Sequence, residues 1–333
     1  MTTRPAYSCA LAPTADVVDK AKSAERLGYQ RVWLFDSPAL YGDLWVALAR
    51  IACQTERIGL AAGVAIPGLR HPMVTASAIG SVHDLAPGRL IVAFGTGSTG
   101  LNTLGRKAVT WDELALHLRQ LRALLDGGVV EIDGQPCQMM QQPGFGPERP
   151  IDVPLWVAAS GPKGHAVARA LAVPGVVMTG MPTGNDRGGA DSALLRFGTV
   201  VRPGEDHTSL RVIEAAGPGY ASIVHATWQH TPTAVDALPA GERWRAAIEA
   251  ERPEDERHLI VHQGHLTQLT DRDRDVVAAA GPAVLHAGWT GDAPSIAARF
   301  DEAGAAGLTE IVYVPAGPDI HGELEAFAAA ADS

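Results

Sequence analysis

A short apolar run that stops abruptly at small polar residues constrains this chain more than any other feature, because it recurs. The clearest case is Arg89-Leu90-Ile91-Val92-Ala93-Phe94-Gly95-Thr96-Gly97-Ser98-Thr99-Gly100. A strand covered on both faces reads as continuous Leu, Ile and Val, and glycines past its carboxyl end let backbone amides approach something bound there. Taken alone, such a loop is equally an ordinary strand-to-helix turn. Repetition makes it an architecture.

Strands of this kind are predicted over 7–12, 31–36, 57–64, 90–94, 154–159, 175–180, 220–226 and 310–315. Helices separate most of them: apolar residues at helical spacing (Val17, Val18, Ala21, Ala24, Leu27) predict one over 15–27, with Thr14 as N-cap and Gly28 closing it. Further helices are predicted over 43–54, 72–84, 111–125, 163–171 and 295–303, with another after a polar segment at 182–189 and one at the C-terminus. A polar hairpin at 129–133 opens an irregular stretch to 150, and residues 228–285, rich in charge, histidine and proline, read as helical with loops.

Strands alternating with helices imply parallel βαβ units. An open doubly wound sheet would carry Gly-x-Gly-x-x-Gly after its first strand, whereas the first turn here, Ala12-Pro13-Thr14, cannot cradle a pyrophosphate. The expectation is therefore a (β/α)8 TIM barrel forming a single domain over residues 1–333. Lid or insertion segments are expected at about 181–220 and 228–285, before the last strand.

Charge and cysteine narrow the partners. A formal charge of −10 without a basic cluster argues against nucleic acid or an anionic membrane surface, but not against an anionic small ligand. Cys9, Cys53 and Cys137 are odd in number and far apart, which speaks against a disulfide framework and for the reducing cytoplasm. Residues 1–7 lack an apolar leader and no run is long enough to span a bilayer, so a soluble, unprocessed protein is expected.

In a barrel the ligand groups come from the carboxyl ends of the strands. Here those ends are Asp36-Ser37, Gly63-Val64, Thr96-Gly97-Ser98, Ala159-Ser160-Gly161, Thr179-Gly180 and His225. Val157 to His165 runs from a strand into a helix start, where free amides, the helix dipole and Lys163 suit a phosphate; a Ser N-cap followed by Pro explains the same residues. Asp36 can accept from a heterocycle N–H, act as a base, or cap the next segment. His258, His262 and His265 invite a metal reading, yet the acid of a zinc-protease motif is missing and no carboxylate is nearby, so no metal is expected. A polar lid over the mouth is preferred, with His225 or His265 as a proton donor.

These residues resemble the luciferase-like flavin or deazaflavin (coenzyme F420) oxidoreductases, in particular the methylenetetrahydromethanopterin reductase-like branch. The resemblance rests on the order of several phrases: Ala24-Glu-Arg-Leu-Gly-Tyr29, Val32-Trp-Leu-Phe-Asp36, Thr55-Glu-Arg-Ile-Gly-Leu60, Arg70-His-Pro72, Leu85-Ala-Pro-Gly-Arg89, Gly95-Thr-Gly97 and Pro154-Leu-Trp-Val-Ala-Ala-Ser-Gly-Pro162. It covers residues 20–180 and 288–317.

The resemblance implies a TIM barrel, usually a homodimer, holding F420 or FMN at the strand ends. Asp36 would lie near the cofactor ring and Gly63-Val64 would be a cis peptide supporting its face. Thr96, Gly97, Ser160, Gly161, Lys163 and Gly164 would hold its tail and phosphate, with Thr179 beside them. Ser37 and Ser98 stand where the F420-dependent sugar phosphate dehydrogenases carry His and Glu, so that acid–base pair is absent. The expected activity is hydride transfer between reduced F420 and an unsaturated acceptor (C=N, C=C or C=O), with Asp36, His225 and Ser98 as candidate catalytic residues. The alternatives are an FMNH2-dependent monooxygenase and a non-catalytic flavin-binding barrel.

Overall fold

A computed structural model describes residues 4–182 and 191–333. Eight parallel strands close into a barrel in sequence order: β1 (Ala6–Leu11), β2 (Arg31–Leu34), β3 (Gly59–Ala65), β4 (Leu90–Phe94), β5 (Leu155–Ala158), β6 (Gly175–Met178), β7 (Asp191–Phe197) and β8 (Glu310–Val314). β1 pairs with both β2 and β8, which seals the ring. The helices α1 (Val17–Arg26), α2 (Leu44–Ala52), α3 (Pro72–Leu85), α4 (Ser98–Asn102), α5 (Trp111–Leu125) and α6 (Pro162–Ala170) follow the early strands. A two-stranded antiparallel hairpin, Val130–Ile132 with Gln135–Cys137, sits where the polar hairpin was expected.

Continuous apolar strands are explained by burial on both faces. Alternate residues of β4 split: Leu90, Val92 and Phe94 join the core between barrel and helices, while Ile91 and Ala93 face the barrel interior. Two indoles dominate that interior, Trp33 and Trp156, with ring centroids 5.8 Å apart. Ala10, Ala61, Ala93 and Ala193 leave them room. Gly175 is required by the same packing, since a Cβ there would stand 2.2 Å from the Trp156 ring. At the amino ends Glu310 plugs the barrel, accepting from Trp33 Nε1 at 2.9 Å and pairing with Arg31.

The sequence places two elements wrongly. Residues 220–226 are not the seventh strand but part of α7 (Leu210–His230), whose buried Val212, Ala215, Ala216, Gly219, Val224, His225 and Trp228 follow a helical period. The seventh strand is instead Asp191–Phe197, where a helix was expected. Asp-Ser-Ala-Leu-Leu-Arg-Phe carries no β-branched residue, and it is extended because β6 and β8 both need an edge to pair with. Residues 181–220 are accordingly no lid as a whole, and the part of the polar segment at 183–189 lies outside the described residues.

The long departure from the barrel lies between β7 and β8. It comprises α7, α8 (Gly241–Glu251), α9 (His258–Val261) and α10 (Asp271–Ala280), then α11 (Ala293–Ala305) returns to the barrel and α12 (Ile320–Ala331) ends the fold. This span has its own small apolar clusters, one around Trp228, Trp244 and Ile260 and another around Ala216, Leu269 and Val277.

Candidate active site

The strand tips converge on a cavity of about 410 Å³. Asp36 and Ser37 reach it from the β2 end, Gly63 and Val64 from β3, Gly95 to Gly100 from β4, Ser160 from β5 and Thr179 from β6. Trp33, Phe35, Val177 and Leu195 give it an apolar floor, and Tyr41, Trp111, His265 and Leu266 form the upper wall. A wider open groove of about 730 Å³ lies between α1 and α2 on the outside of the barrel, where no strand-end residue contributes.

Asp36 is buried and already engaged. Arg70 Nη1 donates to both its oxygens at 2.8 and 2.6 Å, and the Ile66 N–H donates at 3.3 Å. Burial pushes the Asp36 carboxyl above its ordinary value against the opposing pull of Arg70. The other end of the same guanidinium reaches Asp43 at 2.8 Å, which in turn caps α2 by accepting from the amides of Trp45 and Val46. Arg70 thus ties the β2 and β3 tips together, a brace that the Arg-His-Pro phrase carried without revealing. The Gly63–Val64 peptide is cis.

After β4, Gly97 takes a left-handed conformation (φ 78°) and starts α4. Ser98 is held by Gln229 of α7, whose amide donates to Ser98 Oγ at 2.7 Å and to its carbonyl at 3.0 Å. On the opposite side Ser160 Oγ accepts from the Thr179 amide at 3.0 Å and lies 3.0 Å from Thr179 Oγ1.

The three residues that follow Ser160 in the expected phosphate set behave differently. Gly161 caps α6 and Lys163 is exposed in its first turn, next to Ser160 but not bordering the cavity. Gly164 serves packing: a Cβ there would stand 2.7 Å from Trp111 and 2.9 Å from Ala159. Thr179 also borders a second cavity of about 470 Å³ that contains Arg196 and Arg299. Arg196 donates to the Thr179 carbonyl. No sequence signal marked these arginines, because Arg196 fell in a segment expected to be helical.

His225 is not at a strand tip. It lies on α7, 1% exposed and behind His265, which does border the cavity. His225 Nε2 stands 3.2 Å from Asp273 Oδ1, and its Nδ1 stands 3.3 Å from His265 Nδ1. His262 joins them, with Nε2 3.1 Å from Asn102 Oδ1. Burial first, and the neighbouring His225 second, push the His262 imidazole down to about 3; the same causes hold His265 well below its ordinary value. Burial alone would raise Asp273, but hydrogen bonds from His225, Thr270 and Trp244 outweigh it and hold the carboxyl low. Tyr41 donates to the His265 carbonyl, which fastens the β2 loop to this cluster.

Chemically the cavity offers an apolar floor, a rim of hydroxyls and strand-end amides, and two arginines one cavity away. Such a surface suits a planar heteroaromatic ring with a polar, anionic extension. Among the described residues, nothing comes within 4 Å of where a Cβ on Gly161 or Gly180 would project, beside Ser160 and Thr179. Among the described residues, no helix is long and apolar enough to cross a membrane.

Comparison with known proteins bears on this geometry. The model of a family described as luciferase-like monooxygenase matches residues 2–188. The chain is 30% identical over 161 residues to a 5,10-methylenetetrahydromethanopterin reductase from Methanolobus tindarius. That match takes in 45% of this chain and 46% of the relative, so the chain spans about half the length of the curated relative it matches. Among solved structures, the F420-dependent tetrahydromethanopterin reductase of Methanopyrus kandleri superposes with a TM-score of 0.66 at 18% identity, covering 98% of both chains. The FMN complex of the oxygenating constituent of 3,6-diketocamphane monooxygenase from Pseudomonas putida gives 0.56 at 11% identity, covering 98% and 97%. At these identities the superpositions establish the barrel fold.

Proposed function

The chain belongs to the luciferase-like monooxygenase family, and from that premise we propose that it is an F420-dependent oxidoreductase moving a hydride between reduced F420 and an unsaturated small organic acceptor with a C=N, C=C or C=O bond. One observation carries the reading. Asp36, Val64, Thr96 and Ser160, drawn from separate strands, border a single cavity with an apolar floor. The reductase names among its relatives favour F420 over other hydride carriers.

When bound, the deazaflavin supplies the two-electron chemistry, and the protein supplies position and dryness. On this reading Val64 and Trp33 lie on the ring side of the cavity. Thr96, Gly97, Ser160 and Thr179 hold polar edges of the cofactor. Its anionic tail is met either by Gly161 and Lys163 at the start of α6 or by Arg196 and Arg299 beyond Thr179. Asp36, with both oxygens held by Arg70, fixes the β2 and β3 tips rather than accepting a proton. Ser98 and His265 are the groups on the cavity wall able to pass a proton to the acceptor, and His225 acts only through His265. The reading takes the chain as a single barrel domain with a lid, working as a cytoplasmic homodimer.

A second reading, an FMNH2-dependent monooxygenase, draws on the FMN-bound relative of the same fold. Titrating purified protein with F420 and with FMN, followed by anaerobic mixing with a panel of acceptors, separates the two. Selective F420 binding with acceptor-dependent reoxidation is expected. Tight FMN binding with oxygen-dependent turnover would replace the proposal, and cofactor binding without any exchange would leave a non-catalytic barrel. Ser160→Ala combined with Thr179→Val should weaken F420 binding roughly tenfold, about 1.4 kcal/mol.

A further inference from the structure

We propose that His225, His262 and His265 form a binding site for a divalent transition metal of the zinc class, at the wall of the strand-end cavity. One ring nitrogen from each residue lies within 4.8 Å of the other two. The sequence raises a metal reading for His258, His262 and His265 and sets it aside for want of a nearby carboxylate; the fold replaces His258 with His225, from the middle of α7, and brings Asp273 against it, while His262 follows α9 and His265 lies in the turn beyond.

The hydrogen bonds decide which nitrogens are free. Asp273 accepts at both oxygens, Oδ1 from Trp244 Nε1 and Oδ2 from Thr270 Oγ1, so His225 Nε2 donates to it and the Nδ1 lone pair points away from Asp273, toward His265. Asn102 Oδ1 accepts from His262 Nε2, which leaves His262 Nδ1 as a second lone pair. This is the outer-shell pattern of metal-ligating histidines, in which the far ring nitrogen donates to a carboxylate or amide oxygen and the near one faces the ion. Asp273 is itself fixed by Trp244 Nε1 at 2.8 Å and by Thr270 Oγ1 at 2.6 Å.

Two observations separate a site from a packed histidine trio. His262 is 1% exposed, and among the described residues its buried Nδ1 has no hydrogen-bond partner. A trio held only by hydrogen bonds would use the contact between His265 and His225 and still leave that nitrogen orphaned. One pair already has the spacing an ion needs: nitrogens bound to zinc at ~2.0–2.1 Å with tetrahedral angles stand about 3.3–3.4 Å apart, as His225 Nδ1 and His265 Nδ1 do at 3.3 Å, and the whole trio spreads over no more than 4.8 Å. Three neutral imidazoles suit zinc, cobalt, nickel or copper rather than magnesium or calcium. They also leave a fourth position, and since His265 alone of the three borders the cavity, an exchangeable ligand would come from that side.

The test uses untagged full-length protein, stripped of metal, titrated with Co2+ in the absence of F420 or FMN. Its outcome is therefore independent of the redox reading. Expected are saturation at a single Co2+ per chain, intense visible absorption of tetrahedral character, and displacement by Zn2+. His262→Gln and His225→Gln should abolish the spectrum. Asn102→Ala, which touches only the outer shell, should weaken binding by about 10- to 100-fold. His258→Gln, outside the cluster, should leave it unchanged. Circular dichroism and the thermal midpoint of each metal-free variant report folding, so a lost spectrum in a folded variant supports the site. Absence of saturable uptake by the folded wild type, or binding that survives His225→Gln and His262→Gln, would overturn it.

Discussion

The arc from β1 to β6 and the helical span between β7 and β8 hold together by different means. In the arc, each strand pairs with the next strand along the chain, and one continuous apolar core runs between barrel and helices. The span has two small apolar clusters, and polar groups lie at its centre: His225, Asp273, Trp244 and Thr270 in one connected network. Apolar packing tolerates exchange of one residue for another of similar volume, whereas a buried polar network works only if every member finds its partner. The barrel should therefore resist change as a unit, and the span should fail locally.

The largest expected effect is in the barrel interior. Trp33→Ala removes a fully buried indole and its bond to Glu310, and should cost about 3–5 kcal/mol. The check is a urea melt of the whole domain, where a single cooperative shift is expected. Two separate transitions would show that barrel and span already unfold independently.

Acid provides an effect of intermediate size. His117 on α5 is buried, its Nε2 has no hydrogen-bond partner among the described residues, and burial aided by His71 holds its imidazole down at about 4. The unfolded histidine titrates near 6.5, so the unfolded chain binds the proton first. Stability is then complete above about pH 6.5 and is lost as pH falls through about 4, by on the order of 3 kcal/mol in full. His117→Gln should flatten that part of the slope in melts between pH 7 and 4. An unchanged slope would locate the acid sensitivity elsewhere, with the histidines of the span as the next candidates.

The smallest global effect is expected in the span. Trp244→Phe removes the indole N–H from Asp273, at a local cost of about 1–2 kcal/mol. Faster hydrogen exchange and proteolysis over residues 210–285 should appear while the global midpoint scarcely moves. A midpoint falling as far as for Trp33→Ala, without faster local exchange, would show that the span does not open ahead of the barrel.

The legible part of the fold is the part held by local pattern. β4 could be read from Leu90 to Phe94 because burial on both faces writes itself into consecutive residues, and the small residues after it marked the cavity rim. Asp36, Val64, Thr96, Gly97, Ser98, Ser160 and Thr179 were all placed at strand tips by that reasoning, and all border the cavity. Gly161, Lys163 and Gly164 were drawn in by their neighbours, yet none of them lines the cavity: Gly161 caps α6, Lys163 is exposed and Gly164 packs on Trp111. Arg70 stood in a phrase that was noticed, but nothing in the phrase said which carboxylates it would bridge.

What the sequence determined by itself is the alternation of strand and helix through β6, and with it the barrel and the end at which the strand tips surround a cavity. Those follow from hydrophobic period and turn chemistry, which depend only on near neighbours along the chain. Tertiary structure alone decided that Asp191–Phe197 is a strand, that 220–226 is helix, and that His225 meets His262 and His265. Each of these is settled by a partner distant in sequence: a sheet with an unpaired edge, or a carboxylate that orients a ring. No local pattern encodes such a partner.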